Sequence, residues 1–339
     1  MSILEIEDLQ THYRSEGTQV DAIDGISLDI EANETIGLVG ESGSGKSTLA
    51  QAILRILPDN GEITNGEIRY QNQNLLELSE KELRKRRWEE IAMIPQNAIN
   101  GFDPVYTVGE QIVEVIRVHR PSVSKDAAWE RAHEFFRNLG MDAERAHDYP
   151  HQYSGGMAQR AMIALALALE PSVVLADEPT NSLDVVMQDK TLQTIKELQS
   201  KVNAAIVLIT HDMSVVSELC DRIAVMYDGR LVEVGRTEEV IQRPRHPYTQ
   251  GLRNSFPDVH ASKGDLIAIP DASKKVSDPE EMCRFAPRCP FAEEECWGSE
   301  PQPERYDGDR LVECHRADEA ETLRQLATKP DTWEGVTNE

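Results

Sequence analysis

Nine consecutive residues, Gly40-Glu41-Ser42-Gly43-Ser44-Gly45-Lys46-Ser47-Thr48, have the spacing of a phosphate cradle. They fit the pattern G-x-x-x-x-G-K-[ST]. Its glycines let the backbone wrap closely, so that several N–H groups point inward. The Lys46 ammonium can reach the β- and γ-phosphates of a nucleotide, and the Ser47 hydroxyl can ligate Mg²⁺. An apolar run, Ile36–Val39, precedes the loop, and a helix-like run, Leu49–Leu57, follows it. That helix adds the positive end of its dipole to the cradle. A glycine-rich surface turn needs no such strand, loop and helix context, so the segment implies nucleotide binding.

A second group of chemistry-bearing residues closes the apolar run Val173-Val174-Leu175-Ala176, which ends in Asp177-Glu178. Residues just past the C-terminal end of a parallel strand face the ligand crevice. There Asp177 can hold Mg²⁺ through its water shell, and Glu178 can polarise an attacking water as general base. A third group is Tyr153-Ser154-Gly155-Gly156-Met157-Ala158-Gln159-Arg160. Ser154 is a helix cap, and Gly155 and Gly156 leave the first N–H groups bare, which makes a second anion site.

Five cysteines are present, and four of them, Cys283, Cys289, Cys296 and Cys314, fall late in the chain. Clustering of that kind in a cytosolic protein points to metal more than to disulfides. The spacing C-x5-C-x6-C-x17-C is wider than the short pairs of structural zinc sites. Four thiolates can also hold a [4Fe–4S] cluster, where spacing is looser. Cluster, zinc and reduced structural cysteines are the three readings left open. Cys220 stands alone in an apolar helical context as a small core residue.

These residues need elements to position them. Residues 1–36 alternate polar and apolar side chains (Leu4, Ile6, Leu9, then Val20, Ile23, Ile26, Leu28, Ile30), which predicts antiparallel strands. Asn65–Tyr70 reads as a turn and strand. Residues 107–169 are mostly helical by period, with Ile112, Val115, Ile116 and later Ala132, Phe135, Phe136, Leu139 on apolar faces. Short buried strands are expected at Val173–Ala176 and Ala205–Ile209, with a helix near Lys190–Lys201 between them. A strand-rich piece spans Ile223–Val234. A boundary is expected near Arg243, where prolines begin to recur, and the stretch from Thr328 to Glu339 reads as a frayed polar tail.

Taken in order, these motifs resemble the ATP-binding cassette (ABC) ATPases. Ser154-Gly155-Gly156, 23 positions before Asp177, is similar to the signature sequence of that family. Gln96, after the strand Ile91–Ile94, matches the Q-loop. Ser182-Leu183-Asp184 matches the D-loop, and His211 matches the switch histidine. Tyr13 stands where the family places an aromatic under adenine. The resemblance covers residues 3–240. It implies an α/β fold, a RecA-like P-loop ATPase core with an antiparallel β subdomain and a helical subdomain at about 97–165. It also implies ATP and Mg²⁺ as ligands. Gly40, Ser42, Gly43, Ser44, Gly45, Lys46, Ser47, Thr48, Gln96, Asp177 and Tyr13 would contact one nucleotide. Ser47, Gln96 and Asp177 would serve Mg²⁺, and Glu178, His211, Gln96 and Lys46 would be catalytic. Ser154, Gly155, Gly156 and Asp184 would meet the nucleotide of a second subunit.

Glu41-Ser42-Gly43-Ser44, Met157, Pro244-x-His246-Pro247-Tyr248-Thr249 and Cys283-Arg284-Phe285-Ala286-Pro287-Arg288-Cys289-Pro290 further resemble the oligopeptide/dipeptide importer ATPases. That likeness divides the chain into a nucleotide-binding domain, 1–243, and a C-terminal extension with a polar tail, 244–339. It implies an ATPase that powers peptide import. Its partners would be a second ABC subunit, two membrane permeases and, indirectly, an external solute-binding protein. The place of work is then the cytoplasmic face of the cell membrane. The segment after Gln96, with Phe102 and Val105, would dock the permeases. Members of the subfamily can carry a [4Fe–4S] cluster, which the likeness places on Cys283, Cys289, Cys296 and Cys314. The alternatives are an importer ATPase for nickel or a sugar, and a cytosolic ABC ATPase that moves no solute. Translation-type members carry two cassettes, and repair-type members need a coiled coil longer than the span from Gln96 to Ser154. Tyr153 in place of Leu, and Asn181-Ser182 in place of Thr-Ala, depart from the usual pattern without removing a catalytic group.

Composition sets the surroundings. The longest strongly apolar stretch, Ala161–Leu169, is about half of the ~20 residues a membrane-spanning helix needs. The N-terminus lacks the basic and apolar regions of a signal peptide. Asp and Glu number 60 against 35 Lys and Arg, a formal charge of −25. Such a surface repels nucleic acid and anionic lipid. The Debye length falls to ~3 Å at ~1 M salt, which removes most of the self-repulsion. A salt-rich cytoplasm, as in a halophilic microbe, is therefore expected. The melting temperature should rise between low and molar KCl in a thermal scan, and an unchanged value would sink the expectation.

Overall fold

The computed structural model describes residues 2–15, 18–180, 188, 191–193, 195–196, 199, 203–255, 267–270 and 282–334. Asp184 and its neighbours Ser182 and Leu183 lie outside the described residues, as does half of the helix expected near Lys190–Lys201. The chain forms two compact units interleaved in sequence. One comprises Met1–Leu9, Ser27–Thr35 and Ser47–Ile209, the other Gln10–Ile26, Ile36–Lys46 and Thr210–Glu339.

Two long strands, β1 (Ser2–Ser15) and β2 (Thr18–Glu31), open the chain. With β4 (Gly61–Tyr70) and β5 (Gln73–Asn74) they form a sheet of order β2-β1-β4-β5. The Asn65-Gly66 pair is not a turn, as its composition suggests, but part of β4. Gly66 sits there at φ 94°, where an added Cβ would lie 2.5 Å from the Asp8 carbonyl oxygen. The glycine lets two backbones approach, and the Asn65 amide donates to the Asp8 carboxylate at 2.6 Å.

The first unit also holds three parallel strands, β6 (Ile91–Ile94), β7 (Val173–Asp177) and β8 (Ala205–Thr210). Ile94 stands opposite Ala176, and Ala176 opposite Leu208. The continuous apolar runs of β7 and β8 are buried throughout, as a strand covered on both faces requires. Helices fill 108–167. The helix α3 (Val108–His119) starts from a capping box of Thr107 and Glu110 and buries Val108, Ile112, Val113 and Ile116. The helix α4 (Lys125–Asn138) is capped by Ser124 and buries Ala128, Ala132, Phe135 and Phe136. The helix α5 (Gly155–Leu167) is capped by Ser154, and every residue from Ala161 onward is buried. The helix α1 (Lys46–Ile53) follows the phosphate-type loop, and α2 (Glu80–Arg86) begins at a second capping box, Ser79 with Glu82.

In the second unit β3 (Thr35–Val39) runs parallel to β9 (Arg222–Tyr227), which turns at Asp228-Gly229 into β10 (Arg230–Arg236). The sheet continues past the boundary expected at Arg243. β12 (Arg310–Val312) pairs antiparallel with β10, and β11 (Glu304–Tyr306) pairs with β12. Strands of three residues carry no readable alternation, which is why the sequence does not announce them. The polar tail also differs from expectation up to residue 334. Pro330–Glu334 is a helical turn whose Trp333 is buried and donates its indole N–H to the Ala327 carbonyl at 3.0 Å. One aromatic with a polar handle is enough to dock the segment.

Glu233 fastens this edge. It is wholly buried on β10 and accepts from the backbone N–H groups of Arg245, at 2.9 Å, and His246, at 3.0 Å. The guanidinium of Arg310 on β12, itself buried, is its charge partner. Arg310 also donates to the Arg243 carbonyl at 2.6 Å. Removing one member of a buried pair strands the other charge. Arg310→Ala should therefore destabilise the second unit by about 3–5 kcal/mol, read as a lower urea midpoint, and Glu233→Gln should cost less.

Candidate functional site

The loop between β3 and α1 is shaped by crowding. A Cβ on Gly40 would lie 2.1 Å from the Met226 carbonyl oxygen, and one on Gly45, at φ 103°, would lie 2.3 Å from that of Ala22. Only glycine lets the loop press this closely on β9 and β2. The Gly229 N–H donates to the Ser44 carbonyl at 3.0 Å, and the Asp24 N–H to the Gly229 carbonyl at 3.0 Å. Lys46 is 6% exposed. Its ammonium donates to the carbonyls of Gly40, at 2.8 Å, and Glu41, at 2.7 Å, and to the Ser44 hydroxyl at 3.3 Å. Ser42 and Gly43 form the exposed rim. Ser47 and Thr48 sit half-buried in the first turn of α1. The loop thus folds around its own buried lysine, with Ser42 and Gly43 exposed beside it.

In the other unit, β7 delivers Asp177, 4% exposed, at its C-terminal end. Glu178 follows with φ 46°, a left-handed conformation that is strained for a side chain of this kind, and its N–H donates to the Ile209 carbonyl at 2.9 Å. Strain of this sort persists where the surroundings enforce it, and functional sites are enriched in it. The Gln96 side-chain amide, just past β6, donates to the Glu178 carboxylate at 2.7 Å. Two side chains 82 positions apart are thus brought together, as the parallel pairing of β6 and β7 requires.

Ser154 caps α5 by accepting from the Met157 N–H at 3.4 Å. Gly155 is exposed, and an added Cβ there would meet nothing within 4 Å, so the first turn of α5 is bare. Tyr153 is turned inward, 7% exposed, and its hydroxyl donates to the Arg145 carbonyl at 2.5 Å. Arg160, at the end of the same motif, donates to the Gly156 and Leu139 carbonyls at 3.3 and 3.1 Å and steadies that turn. Tyr13 is half-buried on β1, and His211 is exposed immediately after β8, beside the helix cap Asp212. Of the two residues expected on a docking surface, Val105 is 72% exposed, whereas Phe102 is buried at 5% and packs inward. Ile99, Tyr106, Val118 and Tyr149 are also exposed large apolar side chains between residues 97 and 154.

The extension reaches the loop. Arg288 donates to both carboxylate oxygens of Glu41, at 2.7 and 2.8 Å, and the Tyr248 hydroxyl accepts from the Glu41 N–H at 2.9 Å. Nothing in the sequence pairs residues 247 positions apart. The hint available was an acidic residue inside a phosphate loop, which needs a cation.

All four late cysteines are unpaired thiols. Burial pushes the Cys283 thiol up to about 11 and the Cys314 thiol up to about 12, and raises Cys289 as well. Cys289 feels the charges of Cys314, Cys283 and Cys296, so the four share one neighbourhood. Yet among the described residues no three His, Cys, Asp or Glu side chains are arranged to hold a metal ion. A tetrahedral zinc site, with its short Zn–S bonds, does not fit this arrangement.

Comparison with known proteins now decides the family. Residues 23–181 match the profile described as ABC transporter, and residues 232–296 match that of the oligopeptide/dipeptide transporter C-terminal region. The chain is 41% identical to the dipeptide transport ATP-binding protein DppD of Caldanaerobacter subterraneus, over 95% of this chain and 99% of that one. The chain belongs to this family. Identity to the dipeptide transport ATP-binding protein DppD of Escherichia coli is 39%, over 93% of this chain and 97% of that one. For the oligopeptide transport ATP-binding protein OppD of Bacillus subtilis it is 42%, over 86% and 82%. Among solved structures, the dimeric ATP-binding cassette MJ0796, described in a post-hydrolysis state bound to ADP and Pi, aligns with a TM-score of 0.64 and 28% identity. It covers 69% of this chain and 98% of that one. The fold is therefore the P-loop ABC ATPase fold, and the chain is an ABC-type transport ATPase. ATP and Mg²⁺ are the ligands of this family, whose cassettes dimerise and work with membrane permeases. Among the described residues no helix is long and apolar enough to cross a membrane.

Proposed function

We propose that this chain hydrolyses MgATP at the cytoplasmic face of the membrane to drive uptake of dipeptides or oligopeptides through two permease partners. An external solute-binding protein would deliver the cargo. Residues 1–243 serve as the nucleotide-binding domain and 244–339 as the subfamily extension. Lys46 and the loop from Gly40 to Thr48 hold the phosphates, with adenine on Tyr13. Ser47, Asp177 and Gln96 serve Mg²⁺. Glu178 is the general base, and His211 contacts the γ-phosphate. Ser154, Gly155, Gly156 and Asp184 act on the nucleotide of a second subunit, in a head-to-tail dimer that closes on two ATP.

The observation that carries this reading is the 2.7 Å bond from Gln96 to Glu178. It ties the proposed base to a segment that runs on to the exposed Ile99, Val105 and Tyr106. A glutamine that senses the reacting water and leads to an apolar rim suits an ATPase that must report its state to a membrane subunit. The near full-length likeness to dipeptide transport proteins supports the cargo class. Glu178→Gln should keep ATP affinity while lowering turnover about 10²-fold or more, and should trap a closed dimer in size-exclusion chromatography. Wild-type turnover in that variant would overturn the assignment.

For the four cysteines we propose a [4Fe–4S] cluster. The support is the likeness of the cysteine segment to the subfamily, since four thiolates can hold such a cluster. Its work would be to fasten the core-poor extension. Protein purified anaerobically should carry iron and sulfide and absorb in the visible range, and colourless, iron-free protein would refute the cluster. The charge of −25 supports a salt-rich cytoplasm as the setting.

A further inference from the structure

We infer that Arg288 is a positioning residue of the phosphate loop, which keeps the Glu41 carboxylate neutralised so that the loop can accept a triphosphate. The inference rests on the assignment of Gly40–Thr48 to nucleotide phosphates.

A carboxylate inside a phosphate cradle is an electrostatic problem. Like charges at close range in a partly dry site repel strongly. Glu41 is the second residue of the loop, so its backbone is part of the cradle. Three groups hold it. Lys46 donates to its carbonyl at 2.7 Å, the Tyr248 hydroxyl accepts from its N–H at 2.9 Å, and Arg288 grips its carboxylate with two nitrogens at 2.7 and 2.8 Å. Only the first comes from the loop itself. The other two come from beyond residue 243.

Arg288 is built for this task. It is 5% exposed, and its Nε donates to the Pro270 carbonyl at 2.6 Å. Its Nη1 lies 3.4 Å from the Tyr227 hydroxyl, and its guanidinium lies over the rings of Tyr227 and Phe285, 5.6 and 5.9 Å from their centroids. Tyr227 packs edge-on to Tyr248 and Phe285, which are tilted to each other, with centroids 4.8 to 5.4 Å apart, so the guanidinium has little freedom. A planar fork matches a carboxylate in two places at once, which an ammonium cannot do. The residue also closes a short 3₁₀ turn, Ala286–Arg288, immediately before Cys289. Arg284, just after Cys283, is anchored in parallel on Asp24 and on the Asp228 carbonyl. The cysteine segment thus delivers one arginine to the loop and another to the turn that supports it.

The test uses the full chain and MgATP, titrated by calorimetry at low and molar KCl. Arg288→Ala should bind about tenfold more weakly at low salt, the loss expected when a charge-assisted pair is broken. The gap should narrow in molar KCl, because screening weakens the charge of the half-buried Glu41. Arg288→Ala with Glu41→Gln should return to within about twofold of wild type, since the two changes share one interaction. Arg288→Lys, which keeps a charge beside Glu41 but not the planar fork, should lie between wild type and Arg288→Ala. It keeps the inference testable if Arg288→Ala does not fold. A merely structural brace predicts the opposite pattern, with equal losses in Arg288→Ala, Glu41→Gln and the double variant and no dependence on salt. That pattern, or wild-type affinity in Arg288→Ala, overturns the inference. Lys46→Ala separates the two levels. If it binds MgATP as wild type does, the assignment of the loop fails; if it loses binding while Arg288→Ala does not, only the role of Arg288 fails.

Discussion

The second unit depends on one steric constraint, the closeness of the loop at Gly40–Lys46 to the strands beneath it. The carbonyl oxygens of Met226 and Ala22 occupy the space where side chains at positions 40 and 45 would begin. The loop can therefore lie directly on β9 and β2, and Lys46 can be buried while still satisfying its ammonium with three oxygens. A buried ammonium without such partners would be costly. The parallel pairing of β3 with β9 and the bonds linking Ser44, Gly229 and Asp24 follow from that close fit.

A different logic governs the first unit. There Ile94, the last residue of β6, stands opposite Ala176 of β7, so Gln96 follows close to Asp177 and Glu178. The left-handed backbone at Glu178 is tolerated because its N–H is taken by the Ile209 carbonyl. The helices that follow are polar at their caps and apolar within. α5 is the extreme case, with a bare glycine turn at its start and a fully buried body behind it. One helix therefore serves as core along most of its length and leaves an exposed glycine at its tip.

The extension uses charge in place of a large core. In a chain with so large an acidic excess, its arginines are spent inside. Arg310 meets Glu233, Arg284 meets Asp24 and Glu300, Arg230 meets Glu313, and Arg288 meets Glu41. Arg284 and Arg230 each meet Asp24 and Glu300, so these cations link residues from before and after position 243. Buried pairs of this kind give orientation more reliably than stability, which suits a segment that must place two side chains on a loop.

The sequence alone determined the helical stretch and the family, and it made the loop at Gly40–Thr48, the acidic end of β7 and the turn at Ser154 readable as motifs, because each is a local pattern set by residue type and spacing. Gly40, Gly45, Lys46, Ser154, Asp177 and Glu178 are legible for that reason. Only tertiary structure decided the rest, because those features join distant positions. The grip of Arg288 on Glu41, the bond from Gln96 to Glu178 and the burial of Phe102 beside the exposed Val105 have no signature in the order of residues. The same holds for the three-residue strands that carry the sheet into the extension, and for the single tryptophan that docks the polar tail. These contacts arise from strand pairing and side-chain packing across tens to hundreds of residues, and a one-dimensional pattern does not encode which distant charge will face which.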